Sequence, residues 1–142
     1  MTGVNRQKIH YSEELHVRPD MRRELVSQLF LNSPIGIYIV QNGTFRFVNP
    51  EFQQITGYDE AELKGTTSLD LVHPDDRDMV RQKAVQMLKG ERSSPYQARI
   101  VRKTGEYKYV LETICSINYR GNQAALGYFM DNTEQELIKE AL

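Results

Sequence analysis

The segment TFRFVNPEFQQITGYDEAELKG, residues 44–65, decides the fold because it predicts a strand followed by two very short helices. Its first five residues favour a strand and follow the turn signal Asn42-Gly43. Asn49 is a favoured helix N-cap, and Pro50 is favoured at the first helical position. The pattern therefore changes from strand to helix at this point.

Glycines and a capping box set the limits of the two short helices. Gly57 can adopt the left-handed conformation that ends the first helix. In the second, Asp59 and Glu62 have capping-box spacing, and Gly65 follows as the stop. Two helices of this length beside a hairpin fit neither a helical bundle nor a plain barrel.

Composition indicates an ordinary globular domain. The 142 residues are 39% apolar and 26% charged, with a net charge of -1, which argues against nucleic-acid binding and against contact with a membrane surface. The polar N-terminus and the lack of a long apolar run predict neither a signal peptide nor a membrane span. Cys115 is alone, which excludes an internal disulfide and favours a cytoplasmic setting.

Periodicity predicts the order of the remaining elements. We expect a flexible tail at residues 1–19, a domain at 20–131 and the start of a C-terminal helix at 132–142. The first half of the domain is predicted to contain a helix at 20–31, strands at 35–40 and 44–49, the two short helices and a helical turn within 66–72. A helix at 74–88 follows, and the segment His73-Pro74-Asp75-Asp76 marks its start. Three strands come last, one from residue 96 and two at 107–118 and 124–131.

The apolar stripes of the two terminal helices lack an evident partner. In the first helix the stripe needs either the sheet or a second copy of the chain, and the sequence does not decide between them. The last helix begins at Asn132 or Thr133, with Thr133 and Glu136 in capping-box spacing, and we expect it to continue into a further segment.

Several motifs in this order resemble a PAS domain of the sensory-box type found in bacterial signalling proteins. The resemblance covers roughly residues 25–137 and rests on F-x-x-x-N-P-E-F-x-x-I-T-G-Y at 45–58, E-L-x-G at 62–65, H-P-D-D-R at 73–77, R-K-x-G at 102–105, A-L-G at 125–127 and D-x-T-E at 131–134. It implies an α+β fold: a five-stranded antiparallel sheet in the order 2-1-5-4-3, with short helices on one face and flanking terminal helices.

The resemblance also implies a small-molecule pocket between the sheet and the helices, although core packing explains the same apolar residues. The candidate pocket residues are Ile37, Ile39, Phe47, Phe52, Ile55, Leu71, Val80, Ala84, Met87, Ile100, Val110, Glu112, Ile114, Leu126, Tyr128 and Met130. Similar domains dimerise and signal through their terminal helices, so the resemblance implies that residues 132–142 begin a signalling helix. The candidate residues for that role are Met21, Leu25, Leu29, Leu137 and Ile138.

The chain departs from the family pattern at several positions. Tyr109 stands where Trp is common and Thr104 where Asp is usual, and both changes suit a surface or a turn. Asn132 replaces an apolar residue and affects how the last helix is attached. Glu112 replaces an apolar residue on the predicted pocket side, where it is either solvated at a strand end or orients a ligand.

The sequence lacks the residues that the family's cofactors use. Between positions 57 and 88 no Cys is present to form a flavin adduct, and beyond His73 the helix at 74–88 has no His to bind haem iron. The cofactor is therefore unknown, with flavin adduct and haem both disfavoured. The sequence shows no catalytic set, metal site or phosphate-binding loop, so we predict that the domain is not an enzyme.

These observations predict the cytoplasmic sensory domain of a two-component system, and specifically of a sensor histidine kinase. It would bind a small metabolite, form a homodimer, or do both, and thereby control a C-terminal output domain. Two alternatives stay open: a diguanylate cyclase or phosphodiesterase parent, and a ligand-free dimerisation scaffold.

Overall fold

The structure is a computed structural model that describes residues 18–91 and 95–142. Nearly all of the tail predicted at 1–19 lies outside these residues. The chain divides into two units, Met1–Phe30 and Leu31–Leu142. The first contributes most of helix α1, Pro19–Asn32, which confirms the helix predicted at 20–31; its Met21, Leu25 and Leu29 side chains are exposed.

The second unit is built on one antiparallel sheet. Its strands are β1 Gly36–Gln41, β2 Thr44–Val48, β3 Tyr96–Val101, β4 Tyr107–Tyr119 and β5 Asn122–Asp131. Their spatial order is β2-β1-β5-β4-β3, and every neighbouring pair is antiparallel, which confirms the predicted α+β fold. This order places β2 and β3 at the two edges of the sheet, and the helical segment joins them along the chain.

Short helices connect β2 to β3. They are α2 Pro50–Thr56, α3 Glu60–Leu63, the 3₁₀ turns Ser68–Leu71 and Pro74–Asp76, and α4 Arg77–Leu88; α5 Thr133–Ala141 follows the sheet. The predicted helix at 74–88 is therefore a 3₁₀ turn continued by an α-helix. Both predicted caps are present: Asn49 accepts from the Phe52 amide at 3.0 Å, and Asp59 and Glu62 form the reciprocal capping box.

Asn49 does more than cap α2. Its Oδ1 atom also accepts a hydrogen bond from the Ile37 amide at 2.8 Å, and its Nδ2 atom donates to the Ile35 carbonyl at 3.0 Å. The side chain is completely buried. One amide group thus satisfies backbone groups of both the start of β1 and the first turn of α2, which fixes this helix against the sheet.

The HPDD motif attaches the start of α4 to β3. The His73 amide donates to the Arg99 carbonyl at 2.9 Å, and the Asp76 carboxylate accepts from the Arg99 amide and guanidinium at 2.7 to 3.0 Å. These hydrogen bonds from Arg99 lower the pKa of the Asp76 carboxyl. The sequence had suggested only a helix-dipole role for this acid, whereas the structure gives it a specific partner.

A β-bulge shifts the register of the β1–β2 pair between Ile39 and Val40. Ile39 lies opposite Phe47 and Val40 opposite Phe45, so Arg46 is the extra residue. Phe45 and Phe47 are two residues apart and would share a face in a regular strand. The bulge separates them: Phe45 is buried in the core, while Phe47 is 40% exposed.

Candidate functional site

A cavity of about 210 Å³ lies between one face of the sheet and the helical segment. Its wall is mainly apolar, with aromatic rings from β1, β2, α2, β3 and β5 and aliphatic side chains from the 3₁₀ turn, α4 and β4. The aromatic residues are Tyr38, Phe45, Phe52, Tyr96 and Phe129. The rings pack edge-on or tilted; the Phe52 and Phe129 centroids are 4.8 Å apart.

Among the described residues that line the cavity, Glu112 is the only one with a carboxylate. It lies in β4 opposite Tyr96 of β3 and Phe129 of β5. Its Oε1 atom accepts a hydrogen bond from the Tyr96 hydroxyl at 2.8 Å, and its Oε2 atom accepts one from the Tyr38 hydroxyl. The two tyrosines thus hold the carboxylate from opposite sides, which joins strands β1, β3 and β4 through side chains.

Gly127 provides the space for this arrangement. It pairs with Tyr38 in β1 and with Ile114 in β4, so it lies between the tyrosine and the strand that carries the acid. A Cβ atom at this position would overlap the end of the Tyr38 ring. The missing side chain therefore lets Tyr38 cross β5 and reach Glu112.

Burial governs the ionisation of this cluster. It raises the pKa of the Glu112 carboxyl above the ordinary value of 4.5, although the hydrogen bonds from Tyr38 and Tyr96 act in the opposite direction. Burial, reinforced by the nearby Glu112 charge, also raises the pKa of the Tyr38 hydroxyl well above 10.0. Folding therefore favours the proton-bound form of both groups.

This raised pKa predicts a pH-dependent difference between the wild type and the Glu112→Gln variant. The folded state binds the Glu112 proton more tightly than the unfolded chain, so its contribution to stability is complete below pH 4.5 and is lost as the pH rises through the raised pKa. The free energy of unfolding of the wild type minus that of Glu112→Gln should thus fall with rising pH. Urea titrations at a series of pH values test this, and a difference that grows with pH would contradict it.

The structure places many of the predicted pocket residues around the cavity. They are Phe52, Leu71, Val80, Ala84, Ile100, Val110, Glu112 and Ile114. Ile55 and Met87 are buried, but they belong to the packed core and do not line the cavity. Ligand binding by any of these residues stays a prediction.

The other predicted pocket residues lie on the opposite face of the sheet, so their assignment is wrong. They are Ile37, Ile39, Phe47, Leu126, Tyr128 and Met130. On β1 and β5 these residues alternate with Tyr38, Gly127 and Phe129, which face the cavity or core. The prediction of which side chains of β1 and β5 face the cavity was thus shifted by one residue. The β-bulge explains why Phe47 of β2 also faces away from the cavity.

Sequence reasoning missed part of the cavity wall. The missed residues include Tyr38, Phe45, Tyr96, Ala98 and Phe129. A usable signal existed for β3, because Tyr96, Ala98 and Ile100 alternate with polar residues. In β1 and β5 both faces are apolar. The one feature that distinguishes the two faces is Gly127, which pairs with the bulky Tyr38.

The exit from the sheet is fixed by the D-x-T-E motif. Asp131 binds Lys108 at 2.7 Å and accepts from the Thr133 amide at 3.0 Å, while Thr133 Oγ1 accepts from the Tyr109 amide at 3.0 Å. The predicted capping box of Thr133 with Glu136 is therefore wrong, because the Thr133 hydroxyl is engaged with β4. The N-cap position is Asn132, whose side chain makes no capping hydrogen bond, and among the amides of α5 Asp131 accepts only from that of the first helical residue.

The residues that depart from the family pattern reinforce this attachment. Asn132 donates from Nδ2 to Gln97 Oε1 at 2.9 Å, and Gln97 Nε2 donates to Glu136 at 3.3 Å. The Tyr109 hydroxyl donates to Glu140 at 3.2 Å. The first two turns of α5 are therefore tied to β3 and β4 by side-chain hydrogen bonds.

Fold and cavity define an α+β domain with one open antiparallel sheet that carries its short helices on a single face. A model of the PAS fold family matches residues 45–127, which is more than half of the chain. The chain therefore belongs to the PAS fold family, whose domains are sensory modules rather than catalysts.

Solved structures agree with this fold. A PAS domain from Colwellia psychrerythraea is 17% identical with a TM-score of 0.72, and the match covers 80% of this chain and 98% of that one. A PAS domain of an HTR-like protein from Haloarcula marismortui is 24% identical, with a TM-score of 0.64 and 79% and 93% coverage. A sensory box histidine kinase/response regulator from Burkholderia thailandensis is 20% identical, with a TM-score of 0.63 and 84% and 91% coverage. A comparison with curated protein sequences finds no match.

Across residues 18–91 and 95–142, no helix is long and apolar enough to cross a membrane.

Proposed function

We propose that this PAS domain is the input domain of a signal-transduction protein, that a small ligand binds in the cavity, and that binding alters the attachment of α5. A sensor histidine kinase is the parent that we favour. The Burkholderia relative is a sensory box histidine kinase/response regulator, and a further similar PAS domain comes from a two-component sensor histidine kinase. The observation that carries this proposal is that adjacent residues of β3 line the cavity and bind the exit helix α5.

Adjacent residues of β3 connect the cavity with α5. Tyr96 lines the cavity and binds Glu112, whereas the next residue, Gln97, binds Asn132 and Glu136. Neighbouring residues of a strand point to opposite faces, so a displacement of the Tyr96 backbone also displaces Gln97. A ligand that binds more tightly to one arrangement of Tyr96 would thereby favour one attachment of α5.

Hydrogen exchange should report this coupling in the amides of α5. With a neutral aromatic probe such as propylbenzene in the cavity, we expect exchange at Thr133–Ala141 to change by about 5-fold or more, as is typical of coupled sites. The Gln97→Ala variant removes both side-chain bonds from β3 to α5 and should abolish the change while retaining binding. Binding of the probe to the wild type with unaltered exchange in α5 would refute the coupling.

A homodimer is the second part of the proposal, and exposed apolar side chains support it. The candidate residues Met21, Leu25 and Leu29 of α1 and Leu137 and Ile138 of α5 are each between 49% and 63% exposed. Such side chains at helical spacing suit pairing with the same helix of a second copy. Native mass spectrometry separates the two functions: a retained small molecule supports sensing, and a ligand-free dimer supports a scaffold.

A further inference from the structure

We propose that the cavity selects a small organic amine, bound as the cation, with its ammonium group on Glu112 and its hydrocarbon part among the aromatic rings. This inference rests on the proposed ligand-binding function and names the ligand class. It is carried by a carboxylate that lines a mainly apolar cavity and that forms no ion pair with any described residue.

The carboxylate has acceptor capacity to spare. An ionised carboxylate offers about four lone-pair positions on its two oxygens. Tyr96 donates to one oxygen and Tyr38 to the other, and no ion pair in the described part of the chain involves Glu112. Two neutral donors thus fix the orientation of the acid, and neither supplies a positive charge to pair with it when it is ionised.

The one cationic residue among the described residues of the cavity wall pairs with another acid. Arg81 of α4 contributes to the wall, but it pairs with Asp78 at 3.4 Å, and its side chain is 61% exposed. The rest of the wall is apolar apart from Ser68 and the two tyrosine hydroxyls. Because a buried charge is costly unless it is paired, a cationic ligand gains the interaction that the protein itself does not supply.

Shape and surface indicate what the cation carries. A cavity of 150 Å³ lined by apolar side chains can hold benzene, and the volume here is about 210 Å³. It therefore has room for one ring and a chain of about two or three atoms. The five aromatic rings of the wall suit both a hydrocarbon body and an ammonium group, which is attracted to ring faces.

The same features disfavour other ligand classes. An anion would meet the Glu112 carboxylate, and the one cation among the described residues of the wall, Arg81, is already paired with Asp78. A neutral alcohol of the same size can donate one hydrogen bond, but it leaves the charge unpaired. The inference thus makes a specific ranking: amine first, isosteric alcohol second and carboxylate last.

Binding of three matched probes to the full chain tests this ranking. We expect isothermal titration at neutral pH to show phenethylamine binding at least about 10-fold more tightly than 2-phenylethanol, as hydrogen bonds to charged groups imply, and phenylacetate binding too weakly to measure. NMR shifts of Tyr96 and Glu112 amides should locate the site. Equal or tighter binding of the alcohol would overturn the inference.

Variants test whether Glu112 causes the preference for the amine over the alcohol. Glu112→Gln should reduce the preference for the amine to about 3-fold or less while keeping affinity for the alcohol. The matched control is Glu106→Gln, the same change at an exposed hairpin residue, which should leave the preference intact. If a thermal scan shows that Glu112→Gln does not fold, the three-probe comparison on the wild type still decides the question.

The outcomes separate this inference from the proposed function. If the alcohol and propylbenzene bind but the amine has no advantage, the ligand class is wrong and the cavity remains a binding site. If none of the probes binds, both the ligand class and the small-ligand function are refuted. An amine preference that survives in Glu112→Gln would remove the carboxylate from the recognition mechanism.

Discussion

Asn49→Ala is expected to reduce the free energy of unfolding by about 3 kcal/mol, because the side chain serves three backbone groups in a fully buried position. The loss of a helix cap costs about 1 kcal/mol. The remaining loss comes from the Ile37 amide and the Ile35 carbonyl, which lose their partner at the start of β1. Chemical denaturation of the wild type and the variant gives the difference directly.

A matched control separates burial from the loss of an asparagine. Asn118 also accepts a backbone hydrogen bond, from Gly121 at 3.1 Å, but it lies in an exposed hairpin. Asn118→Ala should therefore cost about 1 kcal/mol or less. Asn49→Asp keeps the acceptor but removes the Nδ2 donor to Ile35, so it should also destabilise the protein. Equal losses for the two alanine variants would refute the special role of Asn49.

The element boundaries were predictable because local chemistry determines them. The cap at Asn49, the capping box of Asp59 with Glu62 and the left-handed Gly57 all depend on residues within a few positions of each other. The strand order required more than local chemistry, and it came from the resemblance carried by the ordered motifs. The hairpin motif shows why such motifs exist: Arg102 binds the Ile55 carbonyl at 3.0 Å and so covers the end of α2.

The faces of β1 and β5 were not predictable, because both strands are apolar on both sides. A shift of one residue exchanges all inward and outward side chains, and the run containing Ile37, Tyr38 and Ile39 offers no polar residue to set the phase. In β4 the phase was correct, since Glu112 lies between Val110 and Ile114 on the cavity face. The bulge in β2 depends on pairing with β1, which a local pattern does not contain.

The hydrogen-bond partners of Glu112 were not predictable from the sequence either. Tyr38 is 74 residues away and Tyr96 is 16 residues away, so only the assembled sheet brings their hydroxyls to the acid. The sequence offered two readings of this residue, a solvated strand end or a ligand-orienting group. The structure does not support a solvated strand end, since both oxygens accept hydrogen bonds from tyrosine hydroxyls in the cavity wall. A ligand-orienting role for Glu112 stays a prediction.

Gly127→Ala is expected to destabilise the protein by about 3 kcal/mol, the upper end of the usual cost of overpacking a core. The added methyl group would overlap the ring of Tyr38, which is only 6% exposed and is enclosed by Phe45, Phe52 and Phe129. The ring has little room to move, and any displacement weakens its hydrogen bond to Glu112. Thermal and urea unfolding measure the loss.

A double-mutant cycle distinguishes this steric cause from a general intolerance of β5. In a Tyr38→Leu background the ring is absent, so adding Gly127→Ala should cost less than about 1 kcal/mol, even though Tyr38→Leu is itself destabilising. The phase of the sheet makes the result informative, because Gly127 faces Tyr38 only if Leu126 and Tyr128 point to the other side. Additive losses in the cycle would mean that Tyr38 does not cross β5 over Gly127, and the Tyr38–Glu112–Tyr96 arrangement would then have to be abandoned.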